Sequence, residues 1–454
     1  MKKKKRLHVI IIFFCCLGLL TSQQAMAANA KFNLTKFSDM SDFDPNNPIE
    51  PEGDTIKIAL VASFSGPSAI AGQAYWAAVA WAVHDINKRG GIMVDGKKKK
   101  IHLIKANHES KPAVTKKVCE RMILKEKVDF LMGTNGSNYM KIINQTAKKY
   151  KKITVNFISS SDDLMDAKNF SKYSFMTCAS NSQIGRAAAY FYGQIRKKEK
   201  KFYVLCQDYS FGHSLAQGFI DGMKEYYPGG EIVGEDYHKL FLTDFAPYLT
   251  KIKASGAEVI YTGDSVPDAG HLLNQARQMG IDLPFIHLFL GNPSLLTQVG
   301  IENSKGLMAI SPFSQPEEAL KNEAYVKYLQ SWEDQWKTWS APYNSLTFKW
   351  PTGTVIGATT QVTYWFMDVI KRAGTTDPEK IIKLWENDSY EMVNGHSITM
   401  REKDHKAYQD LSIIEYVPPE EQSMKWFEGC SYDGPVYNIP AKKVMPWIDP
   451  ALKR

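Results

Sequence analysis

The chain has 454 residues, 44% of them hydrophobic, and a formal net charge of +8. This length is enough for two domains with sizeable cores. Five of the positive charges lie within residues 1–27, so the net charge falls from +8 to +3 without them. The other basic runs are dispersed, which is typical of solvated surface and excludes a nucleic-acid-binding stripe. They are Lys97–Lys100, Lys148–Lys152 and Arg196–Lys201.

A cleavable secretion signal is predicted over residues 1–27. Lys2–Arg6 form its basic region, Val9–Leu20 form an apolar core of 12 residues, and Ala25–Ala27 form an A-x-A cleavage site. An apolar core of this length is too short for a membrane span, which needs about 20 residues. The alternatives are a retained membrane anchor and lipid attachment at Cys16.

Four cysteines follow the predicted signal, too few for a disulfide scaffold. They are Cys119, Cys178, Cys206 and Cys430. Cys206 lies in an apolar run and is interpreted as a small buried hydrophobe. Cys178 and Cys430 lie in irregular segments, and the sequence leaves open whether they pair.

Residues 28–53 are polar and rich in Asp, Asn and Pro, which predicts a flexible lead. From residue 54, apolar β-branched runs alternate with helical patterns. Strands are predicted at Ile56–Ala62, Ile101–Ala106, Asp129–Gly133, Ile153–Ile158, Phe202–Cys206, Glu231–Tyr237, Ala257–Thr262 and Leu283–Phe289. Helices are predicted at Tyr75–Asn87, Ala113–Glu126, Asn138–Tyr150, Ser182–Lys197, Ser214–Tyr226, Asp244–Ala254, Asp268–Met279 and Thr352–Ala373. The alternation predicts an α/β fold with parallel sheets, in two doubly wound units that meet near residue 177.

The residues that follow each strand are the candidate binding residues, because ligands of such sheets bind beyond the carboxyl ends of the strands. The first unit offers Ser65, Ser137, Ser159 and Ser160, and the second unit offers Asp208, Phe211 and Asp264. Hydroxyls and N–H groups at helix starts suit a carboxylate. The alternative is that these serines only cap helices and form turns.

No HExxH, G-x-S-x-G, P-loop lysine or CxxC motif is present. His108 and His213 are interpreted as polar loop residues rather than as a base or a metal ligand. Asp208 and Asp264 are candidates for an acid–base pair, but nothing in the sequence sets their separation. The sequence therefore predicts no metal site, no cofactor and no enzymatic activity. The aromatic residues of Trp332–Trp350 are either a ligand platform or packing beneath the interface of the two units.

Several segments carry a family resemblance. Residues Ile56 to Ile92 read IKIALVASFSGPSAIAGQAYWAAVAWAVHDINKRGGI, a strand, a small-residue loop and a helix that ends in glycines. Further segments follow in order: GTNGS from Gly133, FISSSDDL from Phe157, DYSFG from Asp208 and GHSITMREKDH from Gly395. Over about residues 54–440 the chain resembles the type I periplasmic solute-binding proteins of the branched-chain amino acid (Leu/Ile/Val) ABC-transporter family.

The resemblance implies two doubly wound Rossmann-like lobes joined by a hinge of three crossings, near residues 178, 310 and 388. The first lobe would comprise residues 54–177 and 311–388. The second lobe would comprise residues 178–310 and 389–440, and residues 441–454 would form a tail.

The resemblance also assigns roles to residues. The Ser137 and Ser160 hydroxyls would hold a substrate carboxylate, and the Ile158 carbonyl would accept from an ammonium. In amino-acid binders of this family a second-lobe glutamate pairs with that amine, but the corresponding segment, Phe285–Gly291, has no carboxylate. Either Asp264 or Asp208 replaces it, or the ligand lacks an amine. Ala71 is small where an indole can line the pocket, and Phe211 stands in place of a tyrosine.

The function implied is that of a periplasmic substrate-binding component of an ABC importer. Its ligand would be a small carboxylate-bearing solute, its partner a membrane ABC permease, and its state a monomer. The alternative is a ligand-sensing protein that feeds a regulator or a receptor instead of a permease.

Overall fold

The computed structural model describes residues 37–265, 267–313, 321–417 and 433–453. The predicted signal and Cys430 lie outside these ranges. Within them, no helix is long and apolar enough to cross a membrane.

The elements of the described chain follow in sequence order. Up to residue 176 they are β1 (Thr55–Ala62), α1 (Ala69–Lys88), β2 (Ile92–Val94), β3 (Lys97–Asn107), α2 (Pro112–Leu124), β4 (Phe130–Gly133), α3 (Ser137–Tyr150), β5 (Thr154–Asn156), a 3-10 turn (Asp162–Met165) and β6 (Ser174–Met176). Up to residue 311 they are α4 (Asn181–Tyr190), a π-helix (Phe191–Arg196), β7 (Lys201–Gln207), α5 (Ser210–Tyr226), β8 (Glu231–His238), α6 (Ala246–Ser255), β9 (Val259–Thr262), α7 (Asp268–Gln278), β10 (Phe285–His287), α8 (Pro293–Val299), α9 (Ile301–Ser304) and β11 (Leu307–Ser311). The remainder are α10 (Glu323–Trp336), a 3-10 turn (Leu346–Phe348), a π-helix (Gly353–Ala358), α11 (Thr359–Ala373), α12 (Pro378–Trp385), β12 (Ser389–Glu391), β13 (Ser397–Met400), β14 (Ala407–Gln409), β15 (Leu411–Tyr416), β16 (Asp433–Ile439) and a 3-10 turn (Ala441–Lys443).

Each lobe is built on one large sheet. The first has the strand order β2-β3-β1-β4-β5-β6, and only β2 runs antiparallel to its neighbour. The second has the order β16-β15-β11-β10-β9-β7-β8, with β15 and β16 antiparallel. Strand β1 is buried almost throughout, as its apolar, β-branched sequence requires in a parallel sheet covered on both faces.

This architecture confirms the predicted α/β class with two doubly wound lobes. All eight predicted strands and all eight predicted helices are present, with bounds that differ by a few residues. Several short strands were not predicted. Among them β2, β6, β12 and β14 have three residues each, too few to show a periodic signal.

The third hinge crossing lies at residue 410, not near residue 388. Strands β12, β13 and β14 form a small antiparallel sheet whose apolar side chains belong to the buried core of the first lobe. A backbone bridge between Met176 and Lys406 joins it to the edge of the first-lobe sheet. This small sheet is therefore first-lobe structure, which corrects the predicted division. The other two crossings follow β6 and β11.

Residues 37–53 pack on the first lobe, which corrects the expectation of a flexible lead for this part of the chain. Phe37 and Phe43 are buried in the first-lobe core. Nε1 of Trp76 on α1 donates to the carbonyl oxygen of Pro45 over 2.9 Å. A few apolar side chains are enough to hold this polar segment on the first lobe. The composition of the segment, which is mainly polar, does not indicate this packing.

The aromatic residues between Trp332 and Trp350 are packing rather than a ligand platform. Trp332, Trp339 and Tyr343 lie in the first-lobe core. Nε1 of Trp332 donates to the carbonyl oxygen of Phe348 over 2.8 Å, which satisfies its buried polar atom. Trp350 is buried among residues of the second lobe.

A buried ion pair lies at the hinge. Nζ of Lys406 is 2.9 Å from Oδ1 of Asp162, and it donates to the carbonyl oxygen of Trp447 over 2.8 Å. The Asp162 carboxylate also accepts from the backbone N and the Oγ of Ser182, at the start of α4 in the second lobe. The backbone N of Trp447 donates to the same Oγ. The predicted tail is therefore packed across the hinge.

Replacing Lys406 by Met should lower the free energy of unfolding by about 3–5 kcal/mol, because the Asp162 carboxylate is then buried without its cation. Urea denaturation followed by circular dichroism measures the loss. The double variant Lys406→Met/Asp162→Asn should recover most of it. Lys224→Met breaks an exposed pair with Asp221 and should cost less than about 1 kcal/mol. An equal effect of both lysine variants would contradict a central role of the hinge pair.

His108 and His287 are buried and uncharged at neutral pH. Burial lowers the pKa of His108 to about 4 and that of His287 to about 3. Nδ1 of His108 accepts from the backbone N of Ser110 over 3.2 Å, and its Nε2 lies 2.9 Å from Oγ1 of Thr134. His108 is therefore a satisfied interior residue.

The protein should lose stability as the pH falls from 6.5 towards 4. In this range the unfolded chain, whose histidines titrate near 6.5, binds more protons than the folded protein does. His108 accounts for about 3 kcal/mol of the loss at most, at about 1.4 kcal/mol per pH unit. The variant His108→Gln should show a correspondingly shallower decline in urea denaturation at pH 7, 5.5 and 4. If the free energy of unfolding fell equally with pH in the wild type and in His108→Gln, His108 would not be the source of the loss.

Candidate functional site

A cavity of about 150 Å³ lies between the two lobes, at the carboxyl ends of both sheets. Its first-lobe wall comes from the loops after β4 and β5 and from the start of α1. Its second-lobe wall comes from the loops after β7, β8, β9 and β10. Both sheets reverse their strand order here, since β1 lies between β3 and β4, and β7 lies between β8 and β9. The fold thus places the strand-end loops of both lobes around one space.

Unpaired hydroxyls mark the first-lobe wall. Ser137 begins α3, and Gly136 before it has φ +86°, which lets the chain turn sharply into the helix. Ser137 and Thr352 line the cavity, and their hydroxyl oxygens are buried with no hydrogen-bond partner among the described residues. The first N–H groups of an α-helix have no partner within the helix, and hydroxyl and N–H donors of this kind suit a carboxylate.

The loop after β5 is held by Asn156. Its Oδ1 accepts from the backbone N of Ser159 over 2.8 Å, and its Nδ2 donates to the Ser159 carbonyl over 2.7 Å. Ile158 and Ser159 line the cavity, but the Ser159 hydroxyl already donates to a backbone carbonyl. Ser160 is buried with an unpaired hydroxyl and is not among the described lining residues. Of the two serines that the resemblance assigns to a carboxylate, only Ser137 is among the described lining residues.

Two further predicted residues lie on the outer surface. Ser65 is exposed, and its Oγ accepts from Nδ2 of Asn107 over 2.9 Å. Asp208 is exposed, and its Oδ1 lies 2.8 Å from Nε2 of His213. None of the three polar side chains Ser65, Asp208 and His213 belongs to the described lining of the cavity.

Asp264 is fully buried behind the lining residue Ser265. Its Oδ2 lies 2.8 Å from Nε2 of His238, whose Nδ1 lies 3.0 Å from the Lys239 carbonyl oxygen. A neutral imidazole has one N–H, so donating to both oxygens requires the imidazolium form. Burial disfavours that charge, but the Asp264 carboxylate outweighs it, and the pKa of His238 is raised. Asp264 therefore already forms an ion pair inside the second lobe through Oδ2, while its Oδ1 has no hydrogen-bond partner among the described residues.

Aromatic rings form much of the remaining wall. Phe211 lines the cavity, and its ring is stacked with those of Tyr209, at 5.6 Å between centroids, and Phe289, at 6.0 Å. Tyr75 and Tyr139 line the cavity from the first lobe. Burial raises the pKa of the Tyr75 and Tyr209 phenols, so both stay neutral.

None of the side chains described in the lining carries a charge. The polar groups there are hydroxyls and amides, such as those of Asn135 and Asn292. His108 and His213 lie elsewhere, and no group of three potential metal ligands occurs in the described part of the chain. The arrangement offers donors for one anionic group and an apolar surface for the rest of a solute.

Several lining residues are not among those predicted from the sequence. Tyr209 and Phe289 stand at the ends of predicted strands, so the strand-end rule identifies their position. Tyr75 lies on α1, whose apolar pattern indicates only burial. Thr352 follows no predicted strand, and only the packing of the lobes brings it to the cavity.

A family model described as periplasmic binding protein matches residues 55–421. The chain is similar to an amino acid binding protein of Pseudomonas aeruginosa, with 28% identity over 236 residues, 51% of this chain and 59% of that relative. It is also similar to a leucine-, isoleucine-, valine-, threonine-, and alanine-binding protein of the same organism. That identity is 24% over 364 residues, 80% of this chain and 90% of the relative. The match thus covers less than two thirds of the first relative and most of the second.

Solved structures share the fold. The leucine-, isoleucine-, valine-, threonine-, and alanine-binding protein of Brucella ovis, in its closed conformation, has a TM-score of 0.74 at 20% identity, over 88% of this chain and 99% of that one. A solute-binding protein of an ABC transporter from R. palustris, in complex with 4-hydroxybenzoate, has a TM-score of 0.69 at 20% identity. The match covers 86% of this chain and 98% of that one. Since the family model matches most of the sequence and the two-lobed fold agrees, the chain belongs to the periplasmic binding protein family.

Proposed function

We propose that this protein is the periplasmic substrate-binding component of an ABC importer, and that its solute is a small carboxylate without an amine. The observation that carries the proposal is the chemistry of the cavity. Two buried hydroxyls there lack partners within the described protein, and the described lining has no charged side chain.

The carboxylate would lie against the start of α3. The Ser137 and Thr352 hydroxyls each supply one O–H donor, and the first N–H groups of the helix supply others. The positive end of the helix dipole favours an anion at this point. A buried hydroxyl that lacks a partner is costly, so a ligand that accepts from both stabilises the closed cavity.

An α-amino group would find no counter-charge. Asp208 pairs with His213 on the surface, and Asp264 pairs with His238 behind the cavity wall. Burying an ammonium without a carboxylate costs on the order of several kcal/mol. Of the two explanations for the missing glutamate, the cavity therefore favours a ligand without an amine over substitution by either aspartate.

The body of the solute would be apolar and of about the size of one ring. The cavity volume of about 150 Å³ matches that of an apolar protein cavity that accepts benzene, roughly 150 Å³. Phe211, Phe289 and Tyr209 offer ring faces to such a body. The R. palustris protein of the same fold binds 4-hydroxybenzoate, which combines a carboxylate with one ring.

Delivery follows from two-lobe closure. A solute that contacts both lobes favours the closed form, which would dock as a monomer on a membrane permease after export to the periplasm. The cavity holds the solute without reacting with it. The alternative of a ligand sensor with the same lobes is not favoured, because the similar solved structures include solute-binding proteins of ABC transporters, and a permease gene beside this one would support transport further.

Replacing Ser137 by Ala together with Thr352 by Val should weaken binding of benzoate about a hundredfold or more. Hydrogen bonds to a charged group are worth about 1.5–3 kcal/mol each. Isothermal titration calorimetry measures the affinity. Ser160→Ala is the matched control, because its hydroxyl is also buried and unpaired but lies outside the described lining. The proposal would be contradicted if the Ser160 variant lost benzoate binding while the double variant kept it. The carboxylate would then bind at Ser160, as the resemblance implies.

Removing the amine from a candidate solute should strengthen its binding. We expect 3-phenylpropionate to bind at least about a hundredfold more tightly than phenylalanine, and 4-methylpentanoate more tightly than leucine, because only the amino acids bury an unpaired ammonium. Thermal-shift screening followed by calorimetry on each pair gives the ratio. A strict requirement for the amine would show that the solute is an amino acid.

A further inference from the structure

A segment of the first lobe lies along the cavity and reaches the second lobe. It comprises residues 345–352 and is called the cover segment below. Thr347 and Thr352 line the cavity, and a 3-10 turn, Leu346–Phe348, lies between Ser345 and Lys349. The cover segment follows α10, the helix that carries three aromatic hydrogen-bond donors.

Helix α10 holds the cover segment at its beginning, middle and end. Each contact uses an indole N–H or a phenol O–H to satisfy a backbone carbonyl, which fixes the path of the segment on the first lobe. The bonds run from Trp336 Nε1 to Ser345 O (3.1 Å), from Trp332 Nε1 to Phe348 O (2.8 Å) and from Tyr328 Oη to Pro351 O (3.3 Å).

Trp350 projects from this fixed path into the other lobe. It is 5% exposed and belongs to the buried cluster of the second lobe that contains Leu295 and Tyr416. The 3-10 turn of the cover segment packs against α8, which carries Leu295. Nζ of Lys349 lies 5.0 Å from the centre of the Trp350 ring. A first-lobe indole is therefore part of the second-lobe core.

The contact continues just beyond the cover segment. The backbone N of Val355 donates to Oδ1 of Asn292, a second-lobe residue that lines the cavity, over 2.9 Å. Gly353 has φ +71°, and a Cβ at this position would meet the carbonyl oxygen of Gly291 at 2.1 Å. The two lobes thus touch backbone to backbone here, which a side chain at residue 353 would prevent.

We propose that Trp350 is a positioning residue that keeps the lobes closed over the solute, by tying the cover segment of the first lobe to the core of the second. The proposal rests on the proposed function only in taking the interlobe cavity as the binding site. Because the first-lobe hydrogen bonds fix the cover segment, separation of the lobes has to withdraw the indole and expose its apolar surface. Closure is therefore stabilised by the protein itself as well as by the solute.

Loss of this anchor should shift the equilibrium towards the open form. A smaller fraction of closed protein lowers the apparent affinity by the same factor. The effect should be found chiefly in the dissociation rate, which dominates affinity differences among variants of one site. A residue that only stabilised the fold would change the melting temperature without changing lobe separation.

The test compares Trp350→Leu with Trp339→Leu, which makes the same change within the first-lobe core. Small-angle X-ray scattering of the ligand-free proteins measures lobe separation, and stopped-flow measurement with benzoate gives the dissociation rate. We expect Trp350→Leu to increase the radius of gyration and to accelerate dissociation about tenfold. Trp339→Leu should lower the melting temperature with both quantities unchanged, and Trp350→Phe should recover most of the closure.

A radius of gyration of Trp350→Leu equal to that of the wild type would overturn the proposal. Scattering needs no ligand, so it decides the role of Trp350 independently of the solute. Failure of benzoate and the other amine-free acids to bind the wild-type protein would count against the proposed function alone.

Discussion

The carboxylate of Asp162 is the point on which the hinge depends. It lies just after the loop that carries Ile158 and Ser159 to the cavity, and it binds the start of α4 through Ser182 in the other lobe. Lys406, the residue before β14, neutralises the carboxylate and connects it to the C-terminal segment. Three separate parts of the chain are thereby fixed around one buried charge. Removing its cation would leave that charge largely buried and uncompensated.

The binding site has the opposite character. Its described lining is neutral, although the sequence is 23% charged, because the ionisable groups nearby are paired elsewhere. The pairing of Asp264 with His238 removes a carboxylate that would otherwise favour an ammonium. What remains in the described lining is neutral, with two residues whose buried hydroxyls lack partners among the described residues and several aromatic rings. Such a site rejects a solute with an ammonium group because it offers no counter-charge. This rejection contributes to specificity as much as the contacts with the carboxylate do.

The candidate site was only partly predictable, for reasons that individual residues make clear. The strand-end rule identified Ser137 and Phe211 because parallel strands bring all their carboxyl ends to one edge. The same rule also selected Ser65 and Asp208, which stand at the correct ends of strands but are exposed and are not among the described lining residues. Chain position does not determine side-chain direction. Thr352 was missed because no strand precedes it and the hinge alone brings it to the cavity.

The sequence by itself determined the fold class and the order of the elements. Apolar periodicity and glycine turns are local signals, and the strand–turn–helix of Ile56–Ile92 contains both within 37 residues. Tertiary structure decided which lobe each late segment joins, so that β12 to β14 belong to the first lobe and Trp350 reaches into the second. It also decided which polar groups remain without partners. The lobe that a segment joins and the partners of a polar group both depend on contacts between residues far apart in the chain. Local sequence patterns do not specify such contacts.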